Sequence, residues 1–324
     1  MNLGEDDFVA ELRELVGAVG PGELGIGDDA ALVAVPSGHV AVVSTDDQVE
    51  GVHFRRRWCP PRNIGRRASL AAHSDLCAMG AVPLGTWLAL HWPEDVDRAA
   101  MRELVEGVLS VPVTLFGGNI TRSPFGLRVG VTVLGSAEPG RVLRRDAARP
   151  GDELWLTARL GGPAVALACL EQDRRLPEAA SLIAAYLDPQ RDLRAGRRIV
   201  DAATKAGRRM PAAMDITDGL LTDGRRLGRA SGLSLDLDPC ADPVDPRVLA
   251  PAAALGRDPL ALALRSGEEY SLLVAADPTL REALSGLGLI RIGRAVEGPP
   301  GRILRGGEPL AGRGFDHLGG AESE

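Results

Sequence analysis

The chain has 324 residues, 45% of them hydrophobic and 25% charged, with a formal net charge of -7. That length favours two domains over one core, and the composition is that of a globular protein. The acidic balance argues against nucleic acid as a partner, because phosphate contacts need basic surface. No stretch approaches the ~18 consecutive apolar residues of a membrane span, so no membrane partner is expected. Cys59, Cys77, Cys169 and Cys240 lack paired spacing. This fits neither a disulfide framework nor a zinc site, and it suits a reducing cytoplasm. Met1 to Phe8 is acidic without an apolar h-region, so no signal peptide is visible.

In chain order, Glu5 to Val16 reads as a short amphipathic helix. Ala31 to Val35 and His39 to Ser44 read as a hairpin bridged by Pro36-Ser37-Gly38. Asn63 to Met79 is a predicted helix ended by Gly80, followed by a strand over Leu84 to His91 and a helix over Asp97 to Leu109. Val111 to Phe116 and Leu127 to Leu134 are predicted strands flanking a glycine loop. This interleaving indicates an α/β or α+β domain. Glu138 to Asp152, rich in proline, glycine and arginine, reads as the junction, giving domains 1–137 and 138–324. Beyond it come a strand at Glu153 to Ala158 and helices at Gly162 to Leu170, Leu182 to Leu187, Asp192 to Ala206 and Leu220 to Ala230. Ser271 to Ala276 and Leu289 to Ile292 read as strands.

Chemistry concentrates in aspartates at the ends of apolar runs. They stand in Gly25-Ile26-Gly27-Asp28-Asp29, Ser44-Thr45-Asp46, His73-Ser74-Asp75 and Asp215-Ile216-Thr217-Asp218-Gly219. Carboxylates grouped without histidine or cysteine suit hard cations such as Mg2+ or Mn2+, which serve mainly to manage phosphate charge. Asp75 is the sharpest of them, because it continues the helical row Ile64, Ala68, Ala71. A charge on such a face is costly unless paired or bound to a cation. Ser44, Thr45 and Asp46 offer hydroxyl, carbonyl and carboxylate oxygens to one ion. Asp218 has the position of a helix N-cap before Leu220. Gly117-Gly118-Asn119 suits an anion nest or a hairpin loop. No GxxxxGK[ST] loop exists in the chain.

Taken in order, these segments resemble the thiamine-monophosphate kinase family, within the superfamily of aminoimidazole ribonucleotide synthetase and selenophosphate synthetase. The matching pieces are GIGDDAAL (Gly25 to Leu32), STDDQVEGVHF (Ser44 to Phe54), SDLCAMGAVP (Ser74 to Pro83), GGNITRSP (Gly117 to Pro124), DITDGL (Asp215 to Leu220), SGEEY (Ser266 to Tyr270) and GFDHL (Gly314 to Leu318). The resemblance implies a two-domain α+β / α/β fold. Its N-terminal mixed sheet would form a barrel in a homodimer, and its C-terminal α/β domain would close the active site. It implies transfer of phosphate from ATP, the co-substrate, to thiamine monophosphate with several Mg2+ ions. By position it makes Asp29, Ser44, Thr45, Asp46, Asp75, Asp215 and Asp218 metal ligands. It sets Gly118, Asn119, Arg145 and Thr217 along the nucleotide, and His53, Glu268 and Phe315 in the acceptor pocket. Asn119 stands where the family usually has a metal-binding aspartate, which implies a weaker Mg2+ site. Ala72, Asp47, Gln48, Ser266 and Glu269 are further departures. A related enzyme with another small acceptor, or a weakly active nucleotide-binding paralogue, are the competing readings.

Overall fold

The computed structural model describes residues 5–20, 22–26, 30–312 and 314–315. The chain divides into two compact units. One runs through Leu76 and resumes from Ala81 to Pro139; the other comprises Cys77–Gly80 and the chain from Gly140 onward.

The first unit contains α1 (Glu5–Val16), β1 (Val40–Val49), α2 (Pro61–Ala78), β2 (Val82–Trp92), α3 (Arg98–Leu109), β3 (Leu115–Arg122) and β4 (Arg128–Ala137). The strands form one sheet in the order β1-β4-β2-β3. Only the β2–β3 pair is parallel, and α3 supplies its crossover. Alternation along each strand sorts the faces. Leu88, Leu90, Val129, Val131 and Val133 are buried on the face that α2 covers. Asp97 caps α3 by accepting from the Ala100 N–H at 2.9 Å. Two glycines set how closely α2 and α3 pack. A Cβ on Gly65 would stand 1.9 Å from the Leu104 carbonyl oxygen, and one on Gly107 would stand 1.8 Å from that of Arg62.

The second unit is built on a seven-stranded sheet. Its elements are β5 (Glu153–Leu156), α4 (Gly162–Glu171), α5 (Ala180–Leu187), α6 (Ala195–Lys205), β6 (Ala212–Ile216), α7 (Leu220–Ser231), β7 (Ser234–Leu237), α8 (Leu249–Leu255), α9 (Pro259–Arg265), β8 (Ser271–Ala276), α10 (Arg281–Gly286), β9 (Ile290–Val296), β10 (Ile303–Arg305) and β11 (Glu308–Pro309). The strand order is β11-β10-β7-β9-β5-β8-β6. Strand β8 shows why both faces are covered. Leu273 and Ala275 enter one core while Leu272, Val274 and Ala276 enter the other. A strand buried on both sides reads as a continuous apolar run, which is why β8 is legible in the sequence.

Three expectations change. No strand forms over 31–35; only an isolated bridge pairs Leu32 with Leu24. Instead β1 runs on to Val49, carrying Asp46 and Asp47 inside the ladder with β4. The glycines at 117–118 are not a loop but the middle of β3. A Cβ on Gly118 would meet the Leu88 carbonyl oxygen at 1.9 Å, so glycine there serves close strand approach. The short strands β6, β7, β10 and β11 and helices α8, α9 and α10 lie outside the predicted elements, being too brief for a clear period.

Candidate active site

In the first unit the helical row behaves as its spacing predicts. Ile64, Ala68 and Ala71 are buried, and Asp75 ends the row half-buried. The Ser44 hydroxyl donates to Asp75 Oδ2 at 2.5 Å, so β1 and α2 bring these two candidate ligands together. Asp46 shares the Ser44 face of β1 by alternation, and its Oδ1 accepts from the Asp47 N–H at 2.7 Å. The Thr45 side chain lies on the opposite face, 3.1 Å from the Thr132 hydroxyl. Thr45 can therefore join Ser44 and Asp46 only through its backbone. Asn119 also lies away from them. It shares a row with Ala89, Gly130 and Asp47 on the face that α2 does not cover, and Asp47 is there ion-paired to Arg128. Gly118 shares the row of Asp46, Val131 and Leu88, at the far edge of the sheet. Asp29 and its neighbour Asp28 lie outside the described residues.

His53 sits in the turn after β1. Its Nδ1 accepts from the Val49 N–H at 3.1 Å, so in the neutral ring the proton is on Nε2. The buried Arg67 guanidinium donates to the His53 carbonyl at 3.1 Å and fixes the turn from α2. His73, in contrast, is a core histidine. Its Nδ1 is 2.7 Å from the Ser69 carbonyl and its Nε2 is 3.3 Å from the Thr86 hydroxyl. Burial lowers its pKa from the ordinary imidazole value, so it stays neutral. Ala72 is fully buried beside it.

In the second unit the Asp215–Gly219 segment links the end of β6 to α7. Asp215 is buried within the β6–β8 ladder, opposite Leu272. The cap of α7 is Gly219, at φ 105°, and no side chain caps the helix there. Asp218 therefore does not act as the N-cap. Asp223, inside the first turn, performs the local fastening. It is fully buried, and its Oδ2 accepts from the N–H groups of Thr217 at 3.0 Å and Asp218 at 2.9 Å. Arg226 then bridges Asp223 Oδ1 at 2.8 Å and Asp218 Oδ2 at 2.5 Å. Burial pushes the Asp223 carboxyl up to about 6, against the pull of those backbone N–H groups. Asp223 is the residue that motif reading missed. Its signal was available, because it stands three residues after Leu220 and four before Leu227 on an apolar face, the same pattern that singles out Asp75.

The same turn gathers the other predicted residues of this unit. The Glu268 N–H donates to the Thr217 carbonyl at 2.7 Å, and the Phe315 N–H donates to the Asp218 carbonyl at 2.9 Å. A Cβ on Gly314 would lie 1.8 Å from that Asp218 oxygen, so glycine permits the docking. Arg145 is not gathered here. Its carbonyl accepts from Ser231 Oγ at 2.7 Å, at the opposite end of α7 from Thr217. Twelve helical residues separate those ends by roughly 18 Å.

Two departures in SGEEY have a structural reading. Helix α4 begins at Gly162 with Gly161 as its N-cap and no side-chain cap of its own. Glu269 Oε1 accepts from the Gly161 N–H at 2.6 Å, and Ser266 Oγ accepts from the Ala164 N–H at 3.2 Å. A distant segment thus supplies the oxygens the helix terminus needs. Burial pushes the Glu269 carboxyl up to about 7, despite the nearby Arg191.

Oxygen donors alone fit a hard cation, and Ser44, Asp46 and Asp75 are such a set. Among the described residues, no three acidic, histidine or cysteine side chains stand close enough to hold an ion. The first unit presents Asp46 from an edge strand and Asp75 from a helix end, and the sequence has no phosphate-binding lysine loop. Residues 27–137 match the family model for the N-terminal domain of AIR synthase related proteins. The mixed α/β fold with two sheets is that of this class. Within it, the chain belongs to the thiamine-monophosphate kinase family. It is 32% identical to the thiamine-monophosphate kinase of Escherichia coli (strain K12), over 91% of this chain and 92% of that one. A crystal structure of thiamine-monophosphate kinase from Stenotrophomonas maltophilia K279a superposes with a TM-score of 0.79 at 32% identity, covering 96% of this chain and 99% of the other. AaThiL complexed with AMPPCP and TMP matches with a TM-score of 0.77 at 25% identity, over 98% and 99% of the two chains.

Proposed function

We propose that this kinase transfers the γ-phosphoryl group of ATP to thiamine monophosphate, giving ADP and thiamine diphosphate by direct in-line displacement. One observation carries the reading: the likeness to a solved relative complexed with AMPPCP and TMP extends over 98% of this chain. Phosphoryl transfer asks little covalent chemistry of a protein, mainly positioning and charge neutralisation. Mg2+, when bound, would neutralise phosphate charge. Asp29, Asp46, Asp75, Asp215 and Asp218 would hold the ions, with Ser44 through its hydroxyl and Thr45 through its carbonyl.

His53 would direct its Nε2–H to the acceptor phosphate, and Glu268 and Phe315 would also bind the acceptor. Gly118, Asn119, Arg145 and Thr217 would lie along the nucleotide. The protein would act as a homodimer in the cytoplasm. Val43, 65% exposed on the sheet face that α2 leaves uncovered, pairs there with Leu134, and this apolar pair supports association through the sheet. The four free cysteines suit a reducing compartment. The test is calorimetry with thiamine monophosphate titrated into protein saturated with Mg2+ and a non-hydrolysable ATP analogue. Saturable heat at micromolar to millimolar acceptor is the expected result. Nucleotide binding without any acceptor heat would refute the assignment.

A further inference from the structure

Glu268 and Tyr270 both hold positive φ, 54° and 47°, a region that side-chain-bearing residues rarely adopt. Such conformations persist only where the surroundings over-determine them, and they cluster at functional sites. Here the fastening is specific. The Glu268 N–H is held by the Thr217 carbonyl at 2.7 Å and the Tyr270 N–H by the Ile216 carbonyl at 3.0 Å. Between them Glu269 is anchored at both of its ends. Its carboxylate takes the Gly161 N–H at 2.6 Å and stands 3.4 Å from Arg191 Nη2, while Arg191 Nε donates to its backbone carbonyl at 2.5 Å. Glu269 is 1% exposed, so its carboxylate is withdrawn from water, while the Arg191 side chain reaches it from the surface at 27% exposure. One guanidinium thus grips the main chain and the side chain of the residue that follows Glu268.

We propose that Arg191 and Glu269 are a positioning pair, which holds Glu268 in its left-handed conformation against Thr217 and so presents it to the phosphorylated acceptor. The proposal rests on the reading of Glu268 as an acceptor-pocket residue. Neither partner touches substrate in this assignment; both act through Glu268. Arg191 suits the task because a planar guanidinium serves two oxygens with fixed geometry, which an ammonium cannot. Asp245 and Arg247 are the other charges near Glu269, and they are bonded to each other at 2.6 Å. The Arg191 pairing is therefore the direct one.

The experiment is a double-mutant cycle on the full chain, read as separate KM values for thiamine monophosphate and ATP and as kcat. Arg191→Lys is expected to raise the acceptor KM at least tenfold while the ATP KM moves less than twofold. Glu268→Gln should raise the acceptor KM comparably. The double variant should be no worse than Glu268→Gln alone, because positioning of Glu268 has no value once its carboxylate is gone. Multiplying effects in the double variant, or an Arg191→Lys enzyme with unchanged acceptor KM, would overturn the pairing. A Glu268→Gln enzyme with unchanged acceptor KM would instead overturn the acceptor-pocket reading and the proposal with it. If Arg191→Lys does not fold, Glu269→Gln completes the same cycle, since its amide oxygen still accepts from Gly161.

Discussion

Two helix acids, Asp75 in the first unit and Asp223 in the second, are fastened differently. In the first, Asp75 receives a hydroxyl from Ser44, a neutral donor that leaves the carboxylate charge in place. In the second, fully buried Asp223 accepts from the Thr217 and Asp218 N–H groups and is paired with the Arg226 guanidinium. An acid met by a hydroxyl keeps its attraction for an incoming cation. An acid met by a guanidinium is already compensated and serves to fix the chain. Removing Asp75 should therefore cost activity, and removing Asp223 should cost folding.

The largest expected effect lies in the second unit. Asp223→Ala leaves the Thr217 and Asp218 N–H groups and the Arg226 charge without their buried partner. Arg226, 42% exposed, keeps Asp218, so the cost lies mainly in the N–H groups left unpaired, about 1–3 kcal/mol each. Urea unfolding of the variant should show that loss, and a stability within experimental error of the parent would break the comparison.

Next comes Asp75→Asn, which preserves shape and the Ser44 contact but removes the charge. Loss of one preorganised electrostatic group costs about 10²–10³ in kcat. The variant should unfold at the same urea concentration as the parent while turnover falls by that factor. Lost stability with retained turnover would place Asp75 with the structural acids instead.

A smaller effect follows from Glu269. Its folded pKa, about 7, lies above the ordinary glutamate value of 4.5, so between those values the folded state binds more protons than the unfolded one. Stability from this group is present below about pH 4.5 and is lost as pH rises through 7. Glu269→Gln cannot ionise and keeps the Gly161 bond, so its urea midpoint should vary less than the parent's across that window. Identical pH profiles for the two proteins would show that Glu269 is not the titrating group.

The smallest effect calibrates the rest. Arg122 and Glu94 form a surface pair with side chains 89% and 82% exposed. Such pairs contribute little because water screens them, so Arg122→Gln should leave both turnover and the unfolding midpoint unchanged.

How much was legible depends on the kind of residue. The Asp75 row was readable because a helix repeats its face every three or four positions and a charge interrupts it. Strand β8 was readable because both of its faces are apolar. Glycines were ambiguous. Gly117-Gly118 looks like a loop in sequence, and only the approach of the Leu88 carbonyl explains why they lie in a strand. The 31–35 segment carries strand-forming residues but joins no strand, and among the described residues β1 stays the edge of its sheet, paired along its length by β4 alone. Partners distant in sequence were not legible at all. Nothing local announces that Ser266 and Glu269 complete a helix terminus about a hundred residues earlier, at separations of 102 and 108. Motif matching marked Ser266 and Glu269 as departures; the fold gives them a capping role.

The proposed transfer of phosphate from ATP to thiamine monophosphate makes a product that can be observed directly. Phosphorus NMR of purified protein with ATP, Mg2+ and thiamine monophosphate tests it most directly. The single phosphate resonance of thiamine monophosphate should be replaced by the coupled pair of thiamine diphosphate, in step with ADP formation. ADP with inorganic phosphate and an unchanged thiamine monophosphate signal would contradict it.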